Sequence, residues 1–196
     1  GRSAMSRTQT LRTRRDFLEA RGVLLVTRDP PPPPPAASGQ PPIIPGNPAE
    51  GVEILLSVWD DGQVIALNGH VDLGTGIRTA LAQIVAEELD VPMSRVQVVL
   101  GDTARAPNQG PTIASASIQI HSAPLRQAAA QARDFLVGRA AEKMGVAANT
   151  LSTRDGVIRG GASDDGATLS YAELLRGERV ELRLGPSANI KPVEDY

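Results

Sequence analysis

The sequence predicts an α+β fold in which a small, mostly antiparallel sheet packs with two main helices. Three observations carry this. Val52–Trp59 and Gln63–Asn68 are β-rich runs separated by Asp60-Asp61-Gly62, the pattern of a hairpin. Ile77, Leu81, Ile84, Val85 and Leu89 recur at one-face helical spacing, which predicts a helix over 77–89. From about Ser115 to Met144 the chain has long helical character, with Leu125, Ala128, Ala129, Ala132, Phe135, Leu136 and Ala140 as its packing face. Pro124 interrupts or starts that helix, and Gly145 is a natural C-terminal stop.

From the N-terminus, residues 1–29 form a basic arm. Seven arginines stand against Asp16, Glu19 and Asp29, a net +4, so the rest carries −6 under a whole-chain charge of −2. Within the arm, Arg14-Arg15, Phe17-Leu18 and the apolar run Gly22–Val26 resemble a twin-arginine export signal. The apolar run is about five residues, short of the roughly 7–15 of a signal core, and Thr27-Arg28-Asp29 and Pro30–Pro35 cut it off. An inactive remnant and a cytoplasmic protein are therefore expected, with periplasmic twin-arginine export as the alternative. Residues 30–50 hold ten of the 16 prolines and read as a semi-rigid polyproline linker.

Residues 51–196 read as the folded part. After the hairpin and the 77–89 helix, Pro92 closes the helical region and Val96–Leu100 is a short apolar strand. Asn108–Thr112 is a loop before the long helix. Leu151-Ser152-Thr153, Arg154–Ile158 and Leu169–Tyr171 suggest a strand meander, Ala172–Leu175 a short helix and Val180–Leu184 one more strand.

Composition narrows the chemistry. Aromatic residues are 3% of the chain, so a core must come from Val, Leu, Ile and Ala. Cysteine is absent, which removes disulfides, iron–sulfur ligation, thiolate zinc and a cysteine nucleophile together. The only histidines are His70 and His121, so no metal ligands are expected from this chain; His70 is expected at the surface or behind a ligand contact, and His121 as a structural residue of the long helix. The acidic body lacks a basic-aromatic surface pattern, which argues against nucleic acid. No apolar run approaches the roughly 20 residues that span a bilayer.

Two loops stand out as candidate anion-binding turns. Asp72-Leu73-Gly74-Thr75-Gly76 precedes the 77–89 helix; its glycines permit sharp turning and close ligand approach, and the helix start offers N–H groups to an anion. Thr79 stands where a dinucleotide motif needs a third glycine, and no Gly-Lys-Ser/Thr follows, so neither a Rossmann fingerprint nor a Walker loop is present. The second loop, Gly110-Pro111-Thr112-Ile113-Ala114-Ser115-Ala116-Ser117, offers Thr112, Ser115 and Ser117 hydroxyls to phosphate or pterin oxygens, with Ala114 and Ala116 permitting close approach. Together the loops suit one elongated anionic ligand.

The block from Gly69 to Ile118 resembles the cofactor-binding subunit of the molybdenum hydroxylases, the xanthine dehydrogenase and aldehyde oxidase family. It is most similar to the isoquinoline 1-oxidoreductase and nicotinate dehydrogenase branch. The residues that carry this are Leu73 through Asp90 and Gly101-Asp102-Thr103 through Ser117, in family order and spacing. The resemblance implies that Gly74, Thr75, Gly76, Ile77 and Arg78, with Thr112, Ile113, Ala114 and Ser115, contact a molybdenum-bearing pyranopterin, expected as the cytosine dinucleotide and shared with a partner chain. The family usually has glutamine where Thr75 stands; the shorter side chain puts contact with the metal's own ligands in doubt.

The family's catalytic glutamate lies in a Gly-Glu-Pro-like motif that does not occur here, so no catalytic residue is assigned to this chain. The resemblance then implies an N-terminal piece, a split small subunit whose partial molybdopterin-binding domain is completed by a larger subunit carrying the glutamate. A 2Fe–2S subunit would hold the iron–sulfur clusters and take the electrons. The implied activity is hydroxylation of an N-heteroaromatic compound or an aldehyde with oxygen from water. The alternative is a non-catalytic assembly or export escort of such a complex.

Overall fold

The computed structural model describes residues 12–30, 52–160, 166–186, 188–192 and 194. In chain order they form α1 (Arg14–Glu19), β1 (Val23–Arg28), β2 (Glu53–Trp59), β3 (Val64–Asn68), α2 (Ile77–Leu89), β4 (Val96–Leu100), α3 (Ala116–Gln119), α4 (Ser122–Met144), β5 (Leu151–Arg154), β6 (Val157–Gly160), β7 (Thr168–Ser170), α5 (Tyr171–Leu175) and β8 (Arg179–Arg183). The expected arm up to residue 11 and the linker from 31 onward lie outside the described residues.

The hairpin of β2 and β3 closes where expected. Gly62 turns at φ +82, and Asp61 Oδ1 accepts the Gln63 N–H at 2.9 Å. Both strands are buried along their whole length. The sheet must therefore be covered on both faces, since successive side chains point to opposite sides. Leu24, Val26, Val64 and Ala66 join a core with α2 and α4, including Leu81, Val85, Leu125 and Leu136. On the other face Val23, Leu25, Ile65 and Leu67 meet Phe17 and Trp59.

That second face corrects the reading of residues 12–28 as part of an arm outside the fold. The main sheet runs β4-β3-β2-β1-β8, with β1 antiparallel to β2 and parallel to β8. The run read as a signal-like core is thus an interior strand. Phe17 is 1% exposed and meets the Trp59 ring edge-on at 5.7 Å, and the Arg12 guanidinium lies 3.5 Å over the same ring. Thr13 and Asp16 form a capping box that starts α1 and aims Phe17 at the sheet. A five-residue apolar run is too short for a leader core but is the ordinary length of a strand.

The two main helices fall where periodicity places them. Parallel pairing of β3 with β4 requires a crossover, and α2 supplies it. The main sheet is therefore mixed, while β5-β6-β7 is an antiparallel meander. Asp155 and Gly156, expected inside a strand, form the β5–β6 turn with φ +54 and +73, the backbone of a two-residue hairpin. Pro124 occupies the first turn of α4, where its missing N–H costs nothing, and Gly145 ends the helix in the left-handed region.

A buried charge locks the helices together. Glu88 of α2 is fully buried and accepts from Arg126 Nε at 2.8 Å and Arg133 Nη1 at 3.3 Å on α4, and from the Lys191 N–H at 3.3 Å. Ile84, expected on the apolar face, is only half-buried, and Glu88 takes part of that face instead.

Truncating Phe17 removes the cover of the second face. Phe17→Ala is expected to lower unfolding free energy by about 3 kcal/mol in urea titration. An unchanged midpoint would mean that residues 12–28 are a detachable arm.

Candidate functional site

Parallel strands β3 and β4 end at Asn68 and Leu100, so the loops that follow both leave the sheet at one end. They are pressed together there. A Cβ on Gly69 would lie 2.1 Å from the Pro107 carbonyl oxygen, so only glycine lets the second loop approach. The Gly69 N–H donates to Gln109 Oε1 at 2.8 Å, and the Val71 N–H donates to Thr112 Oγ1 at 3.0 Å.

A buried histidine fastens the same junction. His70 is fully buried, so of its two expected places, at the surface or behind a ligand contact, the structure excludes the surface. Its Nε2 faces the Gln109 carbonyl at 3.4 Å and its Nδ1 the Ser117 hydroxyl at 2.6 Å. A carbonyl only accepts, so Nε2–H donates there, while Nδ1 and the Ser117 hydroxyl share the second bond. Ser117, expected to face a ligand, is instead buried against His70. The His70 N–H donates to Asn68 Oδ1 at 3.0 Å, and the His121 ring, just before α4, stacks edge-on to His70 at 4.4 Å.

The first loop is organised by Asp72. Its Oδ1 accepts the N–H groups of Gly74, Thr75 and Gly76 at 3.0, 3.0 and 3.2 Å, and its Oδ2 accepts the Arg78 N–H at 3.3 Å. These bonds, the Arg78 N–H foremost, hold the carboxyl below the usual aspartate range. Gly74 and Gly76 sit at φ +87 and +76, the left-handed region that favours glycine, and a Cβ on either meets nothing within 4 Å. Gly74, Thr75 and Gly76 are thus exposed at the loop tip.

Two of the expected contact residues point elsewhere. The Ile77 side chain is buried in the core. Arg78 is exposed overall, but its Nη1 donates to the Val98 carbonyl of β4. From Ile77 only backbone is left to face the loop, whereas Arg78 keeps an exposed side chain.

In the second loop Ile113, Ala114 and Ser115 are exposed, and Thr112 is half-buried with its hydroxyl oxygen already accepting from Val71. Ala114 and Ser115 both adopt left-handed φ, +52 and +57. Consecutive non-glycine residues there cost about 1–3 kcal/mol each and persist where surrounding structure imposes them, commonly at functional sites. At the loop's start Asp102 bonds the Ala104 N–H and the Arg105 side chain, and Arg105 reaches the Arg12 carbonyl at 2.9 Å.

Sequence reasoning thus singles out both loop tips and His70, and misses Asn68, Asp72 and Gln109, which help to hold the tips. Asp72 carries a legible signal, since aspartate commonly bonds backbone a few residues on in a turn. Gln109 and Asn68 act only across loops that sequence does not show to be adjacent.

Such an arrangement defines a class: an α/β domain whose candidate ligand loops leave the carboxyl ends of adjacent parallel strands. Residues 36–189 match the molybdopterin cofactor-binding domain family, and the chain belongs to that family. It is 47% identical over 192 residues to a subunit of the nicotinate dehydrogenase of Pseudomonas putida, a match covering 98% of this chain and 16% of the relative. It is 35% identical over 143 residues to the beta subunit of isoquinoline 1-oxidoreductase from Brevundimonas diminuta, covering 69% of this chain and 18% of that relative. Both relatives are, by name, oxidoreductase subunits, and this chain spans under a fifth of either. Among solved structures, 60% of the chain superposes on 14% of CO dehydrogenase from Oligotropha carboxidovorans, with TM-score 0.53 and 27% identity. The same share superposes on 15% of quinoline 2-oxidoreductase from Pseudomonas putida 86, with TM-score 0.51 and 26% identity.

The exposed loops have the chemistry such a cofactor needs on one side. Space is open beyond Gly74, Gly76 and Gly110, and Thr75, Thr112 and Ser115 supply hydroxyls. Among the described residues no group of three or more His, Asp or Glu could hold a metal ion.

The junction also sets a pH dependence. Burial, then His70, then the Arg28 charge lower the His121 pKa below its ordinary 6.5. The folded state thus binds this proton less readily than the unfolded chain. The stability this confers is present above 6.5 and lost as pH falls through the lowered value. Chemical denaturation across that window should show stability falling on acidification, and His121→Gln should flatten the slope. An equal slope in the variant would contradict the assignment.

Proposed function

We propose that this chain forms one wall of the cofactor site in a molybdenum hydroxylase. The observation that carries the proposal is the pinning of its two family loops, through Val71–Thr112 and Gly69–Pro107, at one end of β3 and β4. Gly74, Thr75 and Gly76 from one loop, and Thr112, Ile113, Ala114 and Ser115 from the other, face a pyranopterin dinucleotide, the cytosine form in this branch. Ile77 contributes backbone only, and Arg78 its exposed side chain. When bound, the cofactor supplies the oxidising chemistry that places a water-derived oxygen on an electron-poor carbon of an N-heteroaromatic compound or an aldehyde. This chain's residues orient it and keep the loop end closed; the catalytic glutamate comes from a larger molybdopterin-binding partner, and a 2Fe–2S subunit takes the electrons.

Exposed apolar residues support a covering partner. Val71, Leu73, Ile113, Ile118 and Ile120 are all exposed around the loops. A rim of this kind on a folded domain marks a surface covered in the assembly.

The test is cofactor content of the purified assembly carrying Thr112→Arg or Gly76→Glu, with the unfolding midpoint read alongside. Molybdenum and released cytosine nucleotide are expected to fall severalfold in an assembly that stays folded, with the midpoint lowered by the lost Val71–Thr112 bond in one variant and by left-handed strain in the other. Unchanged occupancy in both variants would contradict the proposal and favour an assembly or export escort.

A further inference from the structure

The first loop has the shape of an anion cradle, yet its anion-binding groups are in use. Four backbone N–H groups, those of Gly74, Thr75, Gly76 and Arg78, all end on the two oxygens of Asp72. One guanidinium N–H of Arg78 donates to the Val98 carbonyl, a neutral acceptor that leaves the positive charge in place. A phosphate arriving here meets no free donor from this set. It meets a carboxylate, and like charges at such a short distance repel.

Asp72 is also a tethered competitor. It sits two residues before Gly74 in the same chain, so its effective concentration at the cradle is set by a very short tether and exceeds that of any dissolved anion. Its acidity is strengthened by the same N–H bonds, so the competing group stays ionised throughout the neutral range. What the tip from Gly74 to Gly76 leaves exposed is uncharged: the Thr75 side chain, and the open space beyond the two glycines.

We propose that Asp72 is the built-in anion of this loop, a positioning residue that fills the turn's N–H cradle, fixes Gly74–Gly76, and bars phosphate from this end. Resting on the cofactor reading above, the proposal assigns the uncharged pterin ring to the first loop and sends the phosphates elsewhere. Asp72 touches no cofactor atom; it acts through the four amides that it holds and through the Thr75 that they present. The depth it adds is an orientation of the elongated ligand across the two loops.

The experiment uses the full chain, labelled with 15N, and follows the Gly74, Thr75, Gly76 and Arg78 amides by exchange rate and chemical shift during titration with inorganic phosphate. In the wild type these amides should be protected and should not shift with millimolar phosphate. In Asp72→Ala they should exchange about tenfold faster, as expected on loss of a hydrogen bond to a charged acceptor. Phosphate should then bind saturably in the variant and restore protection, a rescue that a merely structural role for Asp72 would not produce. Saturable shifts of these amides with phosphate in the wild type would overturn the proposal, and that arm needs no variant to fold. Unchanged protection in Asp72→Ala, or no rescue by phosphate, would overturn it too. Cofactor content of the Thr112→Arg assembly reports separately on the underlying reading, so the two failures are distinguishable.

Discussion

Parallel pairing of β3 with β4 is the constraint on which the rest of the site depends. Parallel neighbours cannot be joined by a tight turn, so the chain must cross over through α2. The same pairing makes both strands end on one side of the sheet, and the segments leaving them become neighbours. Nothing in either loop alone would produce that. The 40-residue separation between Gly69 and Gln109 is closed by the sheet, and only then do the Gly69–Gln109 and Val71–Thr112 hydrogen bonds become available.

The sheet in turn relies on being covered twice. One face carries α2 and α4, fastened to each other by the buried Glu88 and its arginines. Breaking such a buried pair from one side costs about 3–5 kcal/mol, because the remaining charge is left without compensation. The other face is completed by Phe17 against Trp59, from a segment whose composition suggests a basic tail. The loops are therefore mounted on a rigid platform, and the strain at Ala114 and Ser115 can be held by it.

Much of this is legible in the sequence, and the exceptions have physical reasons. The hairpin, α2 and α4 are readable because their signals are local: turn residues between β-rich runs, and apolar residues at helical spacing. Gly74 and Gly76 are readable as a turn for the same reason, and the family resemblance across Gly69 to Ile118 names the ligand that both loops suggest. Residues 23–28 mislead because an apolar run of that length, flanked by arginines and prolines, is compatible with a leader remnant or a strand. Only its pairing with β2 and β8 decides. Ser117 misleads, and the surface alternative for His70 fails, because polarity favours the surface while hydrogen bonds let both be buried. The N–H groups at the start of α2 read as a free anion site because sequence shows the donors but not that Asp72 supplies their acceptor.

The central claim is that two loops from one end of a parallel strand pair grip one cofactor from this side. The most direct measurement is a structure of the cofactor-loaded assembly that shows where the pterin lies against these loops. The account predicts direct contacts from both the Thr75 and the Ser115 neighbourhoods to the same bound molecule. A pterin lying out of reach of either neighbourhood would contradict it.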